Sequence, residues 1–291
     1  MVIAVTGAAL GVHYRRLLKI ADEQSRKAEQ ANQVRDQFLT SLSHELRTPL
    51  NAVLGWSRLL AMRKLDETQT AKAVQAIERA GWAQLRLIDD LLDLSRIISG
   101  KLQINPVPTS VQRLVGAAVD SLRPAAAAKR IDLTLTLNPA LGLMSVDPDR
   151  VQQIVWNLVS NAIKFTPSGG RVAVSLSTMA GEAIISVQDT GIGLRQDVAA
   201  HLFERIRQGD SSSTRQFGGL GLGLGIVRHL VELHGGTVSA LSGGENAGAL
   251  FEVHLPIVAG SAPMVDERRR VERRKSRTLH LRDVWQRRSY S

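Results

Sequence analysis

From Tyr14 to Ile98 the chain keeps a helical hydrophobic period with one interruption, KLDETQ at Lys64–Gln69. Residues 14–63 are rich in Leu, Ala, Gln, Glu, Lys and Arg, all good helix formers. Apolar residues recur there at Leu39, Leu42, Leu46, Leu50, Val53 and Leu60, spaced by three, four or seven. That spacing lays one stripe along a long amphipathic helix. A second helix is predicted over Glu67–Ile98, with Val74, Ile77, Leu85, Ile88, Leu92 and Leu94 among its apolar positions. Two long helices with a short link form an antiparallel hairpin. One hairpin packs only one face, so the remaining apolar surface calls for a second copy, and a dimeric four-helix bundle is expected.

The texture changes at Ser99-Gly100. KLQINPVP (101–108) is predicted as a short strand ended by prolines, and SVQRLVGAAVDSLRPAAAAK (110–129) as a helix. IDLTLTLNP alternates apolar and polar residues, the mark of a half-buried strand. VDPDRVQQIVWNLVSNAIKF is a helix with Asp147 as N-cap and Pro148 in its first turn. RVAVSLSTM and EAIISVQDT pair across a short turn; a helix near GIVRHLVELHGG and strands TVSALS and ALFEVHLP follow. The mixture lacks regular β-α-β alternation, so the expected class is α+β: a helical hairpin followed by an α/β sandwich. A length of 291 residues, 44% of them hydrophobic, supports about two domains.

Composition removes several chemistries. There is no cysteine, hence no disulfide, thiolate metal site or thiol catalysis. The formal net charge is +10, but residues 261–291 hold ten Lys/Arg against four Asp/Glu, so the tail accounts for +6. That tail is expected to be a solvated extension rather than an electrostatic arm for membrane or nucleic acid, and no nucleic-acid partner is expected. The opening run MVIAVTGAALGV has twelve residues, too few to span a bilayer, which takes about 20. It is either the inner half of a transmembrane helix or a local hydrophobic cap, and both readings stay open. In the first, the arginines after it lie on the cytoplasmic side, attaching a cytoplasmic catalytic region to the inner membrane.

Three stretches carry chemistry. DTGIGL (Asp189–Leu194) ends a strand with an acid and two glycines, and FGGLGLGLGIV (Phe217–Val227) runs five glycines into a helix. Glycine lets a backbone approach phosphate closely, and a helix start offers free N–H groups. The second stretch lacks the lysine and hydroxyl of a P-loop, and no strand precedes it as a dinucleotide fold requires. On the helix before them, Asn157 and Asn161 share a face, with Lys164 three residues on. Two amides and an ammonium on one face suit a Mg²⁺–triphosphate. Within the first long helix, FLTSLSHELRTPLNAVLGW (38–56) sets His44 beside Glu45 and puts Pro49 mid-helix. A free imidazole titrates near 6.5, and a neighbouring carboxylate can orient one ring N–H and sharpen the other nitrogen as a nucleophile. His44 faces away from Leu42 and Leu46, so it is expected to be exposed. A zinc H-E-x-x-H motif is excluded, since residue 48 is Thr48.

With these residues in view, the chain resembles the histidine protein kinases of two-component signalling over about residues 33–257. SHELRTPLNAV is similar to that family's H-box and NLVSNAIKFTP to its N-box. DTGIGL and GGLGLGLGI are similar to its glycine boxes, and LFERIRQGD to its F-box. The resemblance implies a dimerisation and phosphotransfer hairpin (33–99) and a Bergerat-type ATP-binding sandwich (100–258). An apolar and connecting segment (1–32) precedes them, and the basic tail (259–291) follows. It implies His44 as phospho-acceptor, Glu45 as its base and Thr48 as a residue orienting water for dephosphorylation of a partner. It further implies Asn161 on Mg²⁺, Asn157 and Lys164 on the phosphates of ATP, and Asp189 on the adenine amino group. Gly191 and Gly193 would shape the adenine pocket, and Gly219, Gly221 and Gly223 the phosphate side of a lid. The F-box departs from the pattern: Phe203 is its first aromatic, but Arg205 replaces a proline and Ile206 the second aromatic. The implied partners are a second copy and the receiver domain of a response regulator. Only 35 residues follow Pro256, too few for a receiver domain within this chain. Two alternatives stand beside this reading. One is a Bergerat-fold ATPase, whose relatives place a water-activating glutamate where this chain has Asn157. The other is a degenerate kinase kept as a dimeric scaffold.

Overall fold

The computed structural model describes residues 2–62, 65–195, 202–203 and 222–257. Helix α1 (Val2–Ala61) carries Pro49 within it, and α2 (Glu67–Ile98) packs against it as a hairpin. The start of α2 is set by a capping box. The Asp66 carboxylate accepts from the Gln69 N–H at 2.7 Å, and the Gln69 side chain accepts in return from the Asp66 N–H. Among the described residues, no helix is long and apolar enough to cross a membrane.

After the hairpin come β1 (Val107–Thr109), α3 (Val111–Ala128), β2 (Asp132–Leu137), β3 (Met144–Val146) and α4 (Pro148–Phe165). They are followed by β4 (Arg171–Met179), β5 (Glu182–Asp189), α5 (Leu222–Leu233), β6 (Thr237–Leu241) and β7 (Ala249–Pro256). The main sheet has the order β2-β4-β5-β7-β6, with β2 parallel to β4 and the other neighbours antiparallel. β1 and β3 form a separate antiparallel pair.

The strand expected over 101–108 shrinks to Val107–Thr109. The N–H groups of Lys101 and Leu102 turn back to the Arg96 carbonyl at 2.8 and 3.2 Å, closing the end of α2. Pro106 and Pro108 have no N–H to give a ladder, which confines pairing to a stub.

The core forms where α3, α4 and α5 cover one face of the sheet. Val111, Val115 and Val119 of α3, Val151, Ile154, Val155 and Leu158 of α4, and Ile226 and Leu230 of α5 are fully buried. They meet Val172, Val174, Ile185, Val187, Val253 and Leu255 of the strands in one cluster. The opposite sheet face carries polar rows, including Arg171 with Asp132 at 3.4 Å and His254 with Glu182 at 3.0 Å. The alternation of β4 and β7 thus sorts into one apolar and one polar face.

Candidate functional site

Helix α4 is the spine of the site, and both its ends are fixed. Asp147 caps its start, its Oδ1 accepting from the N–H groups of Asp149 and Arg150 at 3.1 and 3.2 Å. The Asp147 N–H donates to His234 Nε2 at 3.1 Å, while His234 Nδ1 lies 2.7 Å from the Leu230 carbonyl in the tautomer that donates there. This ties the start of α4 to the end of α5. At the other end Lys129 Nζ donates to the carbonyls of Ile163 and Lys164 at 2.8 and 2.7 Å. Those carbonyls have no partner inside the helix, and the ammonium also complements the negative end of its dipole.

Along this spine Asn157 is buried, Asn161 half-buried and Lys164 exposed. Gly223, in the first turn of α5, closes on Asn157: a Cβ on it would sit 3.3 Å from Asn157 Oδ1. The asparagine face and the second glycine stretch therefore meet. Gly219 and Gly221, together with Arg205 and Ile206, lie outside the described residues. Phe203 is described and meets Phe251 edge to face, with ring centroids 6.5 Å apart.

The first glycine stretch wraps the end of β5. Asp189 is buried, and one carboxylate oxygen accepts from the Gly191 N–H at 2.8 Å. Burial pushes its carboxyl above the usual carboxylate range; N–H groups of Gly191 and Ala249 pull it back. A Cβ at Gly191 would fall 2.6 Å from the Phe165 carbonyl oxygen and 2.8 Å from Asp189 Oδ1. Gly193 has φ +69°, and a Cβ there would strike the Gly244 carbonyl at 2.0 Å. The sequence reading placed Gly193 in the adenine pocket; its close neighbour here is the loop Ser242–Gly248.

That loop is the part of the site that sequence reasoning missed. Ser242 Oγ accepts from the Leu194 N–H at 3.0 Å and lies 2.6 Å from the Gly248 carbonyl, to which it donates. The Gly248 N–H donates to the Gly191 carbonyl at 3.1 Å, and the Asn246 N–H to the Ile192 carbonyl at 2.7 Å. The available signal was the cluster SGGENAG between two strands, which resembles an ordinary connection. Beside it a shallow cavity of about 230 Å³ is lined by Gln188, Asp189, Ser242 and Leu250 among others.

On α1 His44 is exposed and Glu45 half-buried. Thr48 Oγ1 donates to the His44 carbonyl at 3.1 Å, so its hydroxyl is turned to the backbone. Ser43 and Thr40 do the same to the Leu39 and Asp36 carbonyls, at 2.8 and 2.9 Å. Such back-bonding tends to bend helices, and Pro49 adds nothing to the N–H ladder just beyond. Although Lys164 is largely exposed, partial desolvation lowers its ammonium pKa, and the Glu45 carboxylate opposes that shift.

Among the described residues no three His, Asp or Glu side chains cluster as metal ligands. α4 offers amide oxygens that can ligate a metal and one ammonium that can only pair with phosphate, a set that fits Mg²⁺ held largely by phosphates and water rather than by an all-protein cage.

An ATP-binding α/β sandwich carried behind a helical hairpin with an exposed histidine is the class these features define. A family profile described as "Histidine kinase-, DNA gyrase B-, and HSP90-like ATPase" matches residues 146–259, and one described as "His Kinase A (phospho-acceptor) domain" matches residues 34–100. The circadian input-output histidine kinase CikA of Synechococcus elongatus is 40% identical over 234 residues, 79% of this chain and 31% of that protein. The sensor histidine kinase GacS of Pseudomonas protegens is 40% identical over 242 residues, 81% of this chain and 26% of that protein. The crystal structure of full-length ShkA in complex with AMPPNP is 33% identical with a TM-score of 0.56, covering 79% of this chain and 47% of that one. The structure of histidine kinase ThkA in complex with response regulator protein TrrA has a TM-score of 0.52 at 20% identity, over 82% of this chain and 67% of that one, and shows the shared fold. The chain belongs to the two-component histidine protein kinases. It spans about a third or less of the length of CikA and GacS.

Proposed function

We propose that this chain is a kinase core that binds Mg-ATP in the α/β domain, transfers the γ-phosphoryl group to His44 and passes it to an aspartate of a response regulator. The observation that carries this reading is the approach of the two halves of the site. Helix α4, which bears Asn157, Asn161 and Lys164, is held against the hairpin of the exposed His44 by Arg150 on Asp93 at 2.6 Å and by Arg86 over the Trp156 ring at 3.5 Å. One His44 ring nitrogen forms the N–P bond as the bond from γ-phosphorus to the β–γ bridging oxygen breaks, and ADP leaves. Glu45 orients the other ring N–H and stabilises the charge that develops there. Asn157 and Lys164 hold phosphate oxygens, and Asn161 offers its amide oxygen to Mg²⁺, which supplies charge neutralisation when bound. Asp189 receives the adenine amino group, with Gly191 and Gly193 shaping that turn and Gly219, Gly221 and Gly223 the phosphate side. Thr48 positions a water that attacks the aspartyl phosphate of the partner regulator, freeing the carboxylate and inorganic phosphate.

The same reading divides the chain into hairpin (33–99) and ATP-binding domain (100–258), with segments 1–32 and 259–291 outside the catalytic unit. Leu50, Leu54, Trp82, Leu85, Ile88 and Leu92 of the hairpin are all exposed in the single chain. That surface supports a homodimer whose four helices bury it. A receiver domain as acceptor is supported by the ThkA–TrrA complex, a kinase of the same fold seated with its regulator. The ATPase alternative is disfavoured by Asn157, whose amide cannot take a proton from water.

Incubation with Mg-ATP is expected to give acid-labile, base-stable phosphate on the wild type and none on His44→Gln, with ATP binding retained. If His44→Gln consumed ATP at the wild-type rate, the chain would be an ATPase and the kinase reading would be wrong.

A further inference from the structure

The hairpin and the ATP-binding domain of one chain meet along α4 at two heights. Near its start Arg150 Nη1 lies 2.6 Å from Asp93 Oδ2, and Gln153 Nε2 donates to the same oxygen at 2.9 Å. Asp93 is buried at 4% exposure, although it lies on the outer hairpin helix α2. Half-way along, the Arg86 guanidinium sits 3.5 Å from the centroid of the Trp156 ring. The Glu45 carboxylate of α1 also acts electrostatically on the Lys164 ammonium at the end of α4. α2 also packs against α5, which brings Gly223 to Asn157.

The heights correspond. His44 lies 17 residues before the end of α1, and Arg86 lies 19 residues after the start of α2. At 1.5 Å per residue these are about 26 and 29 Å from the hairpin turn, so antiparallel packing sets them level. Trp156 is the residue before Asn157. The seam therefore holds the asparagine face of α4 level with the histidine of its own chain.

We propose that this seam docks each ATP-binding domain on its own hairpin, so that phosphoryl transfer to His44 occurs within one chain, with Arg86, Asp93, Arg150 and Trp156 as positioning residues. This rests on the kinase reading above and adds the direction of transfer to it. The bonds made and broken are unchanged: N–P forms at His44, the γ-phosphorus to bridging-oxygen bond breaks, and ADP leaves. A buried carboxylate that loses its guanidinium is strongly disfavoured, so an undocked domain exposes Asp93 to water, while the docked one pairs it.

The test uses full-length chains. A His44→Gln chain with an intact nucleotide site and an Asn161→Ala chain with an intact His44, carrying different tags, are co-expressed, and the mixed dimer is isolated through both tags. Transfer within a chain predicts no phosphohistidine on the mixed dimer with radiolabelled Mg-ATP, while the wild-type dimer labels. Label on the Asn161→Ala chain at a tenth of the wild-type level or more would establish transfer between chains and overturn the proposal. Failure of the wild type itself to label would instead sink the kinase reading. A second arm covers inactivity through misfolding. Asp93→Arg should lower the labelling rate at saturating ATP at least tenfold, with the half-saturating ATP concentration within twofold of wild type. Asp93→Arg with Arg150→Asp should recover at least a third of the rate. A faster Asp93→Arg, or a double variant no better than the single, contradicts the positioning role.

Discussion

Gly191→Ala is a local test of how the site is built. Gly191 is buried in the turn after β5, its N–H donating to Asp189 Oδ1 at 2.8 Å and its carbonyl accepting from Gly248 at 3.1 Å. An added Cβ would lie 2.6 Å from the Phe165 carbonyl oxygen, 2.8 Å from Asp189 Oδ1 and 3.0 Å from the Phe165 carbonyl carbon. Two of those atoms are backbone at the end of α4 and cannot swing aside as a flexible side chain would. Relief requires the turn to lift from α4, at an overpacking cost of about 1–3 kcal/mol. Lifting also stretches the bond to the Asp189 carboxylate, adding about 1 kcal/mol. A total of about 2–4 kcal/mol should lower the melting temperature by about 5–12 °C for a domain of this size. If half of it falls on the nucleotide-binding conformation, affinity for a non-hydrolysable ATP analogue drops about 5–30-fold. Calorimetric titration and thermal melting read both effects. Gly116→Ala is the control: its Cβ would meet nothing within 4 Å in the interior of α3, and it should gain about 0.5–1 kcal/mol. If Gly191→Ala bound the analogue within twofold of wild type and melted within 2 °C of it, the steric reasoning would be refuted.

Two further outcomes follow from the seam and the helix ends. The Asp90 carboxyl is raised to about 6 by burial, then by Asp93 and Asp89, against the pull of Arg86. A folded-state value above the unfolded one means stability that is full below about pH 4 and lost as pH rises through about 6. Wild-type stability should therefore lose on the order of 1 kcal/mol between pH 5 and 7 from this group, and Asp90→Asn should remove that slope; urea midpoints at the two pH values measure it, and an identical slope in the variant would contradict it. Lys129→Met removes both donors from the Ile163 and Lys164 carbonyls and should cost about 1–2 kcal/mol in a chemical melt, with Lys129→Arg recovering part of it.

The long helices were legible because period and composition agreed over many turns: α2 runs from Glu67 to Ile98, the bounds expected. Asp147 was legible as a cap because an acid before Pro148 has a local mechanism. What escaped was either short or relational. β3 has three residues, too few for alternation to register, and β1 is a three-residue stub at the end of the strand expected over 101–108. The parallel pairing of β2 with β4 is fixed by a core contributed from α3 and α4, not by either strand's own pattern. The loop Ser242–Gly248 acts through backbone groups and one hydroxyl, which carry no residue signature beyond small size. Asp93 stands among Leu91, Leu92 and Leu94, and a buried acid there gains meaning only from Arg150, 57 residues away. Sequence named candidate chemical groups; the structure supplied which backbone presses on which.

Helix α1 also has a mechanical consequence. It runs from Val2 to Ala61 with Pro49 inside it. The arm from Pro49 back to Val2 is about 70 Å long at 1.5 Å per residue, whereas His44 is five residues, about 7 Å, from the same point. A bend of about 5° at Pro49 would move the far end by about 6 Å and His44 by about 0.6 Å, a gearing near ten to one from the same helix geometry. Misplacement of about 1 Å at a reacting atom can change a rate on the order of a hundredfold. A histidine this close to a bend at Pro49 would convert a coarse displacement of the distant end into the sub-ångström adjustment that a transfer reaction discriminates.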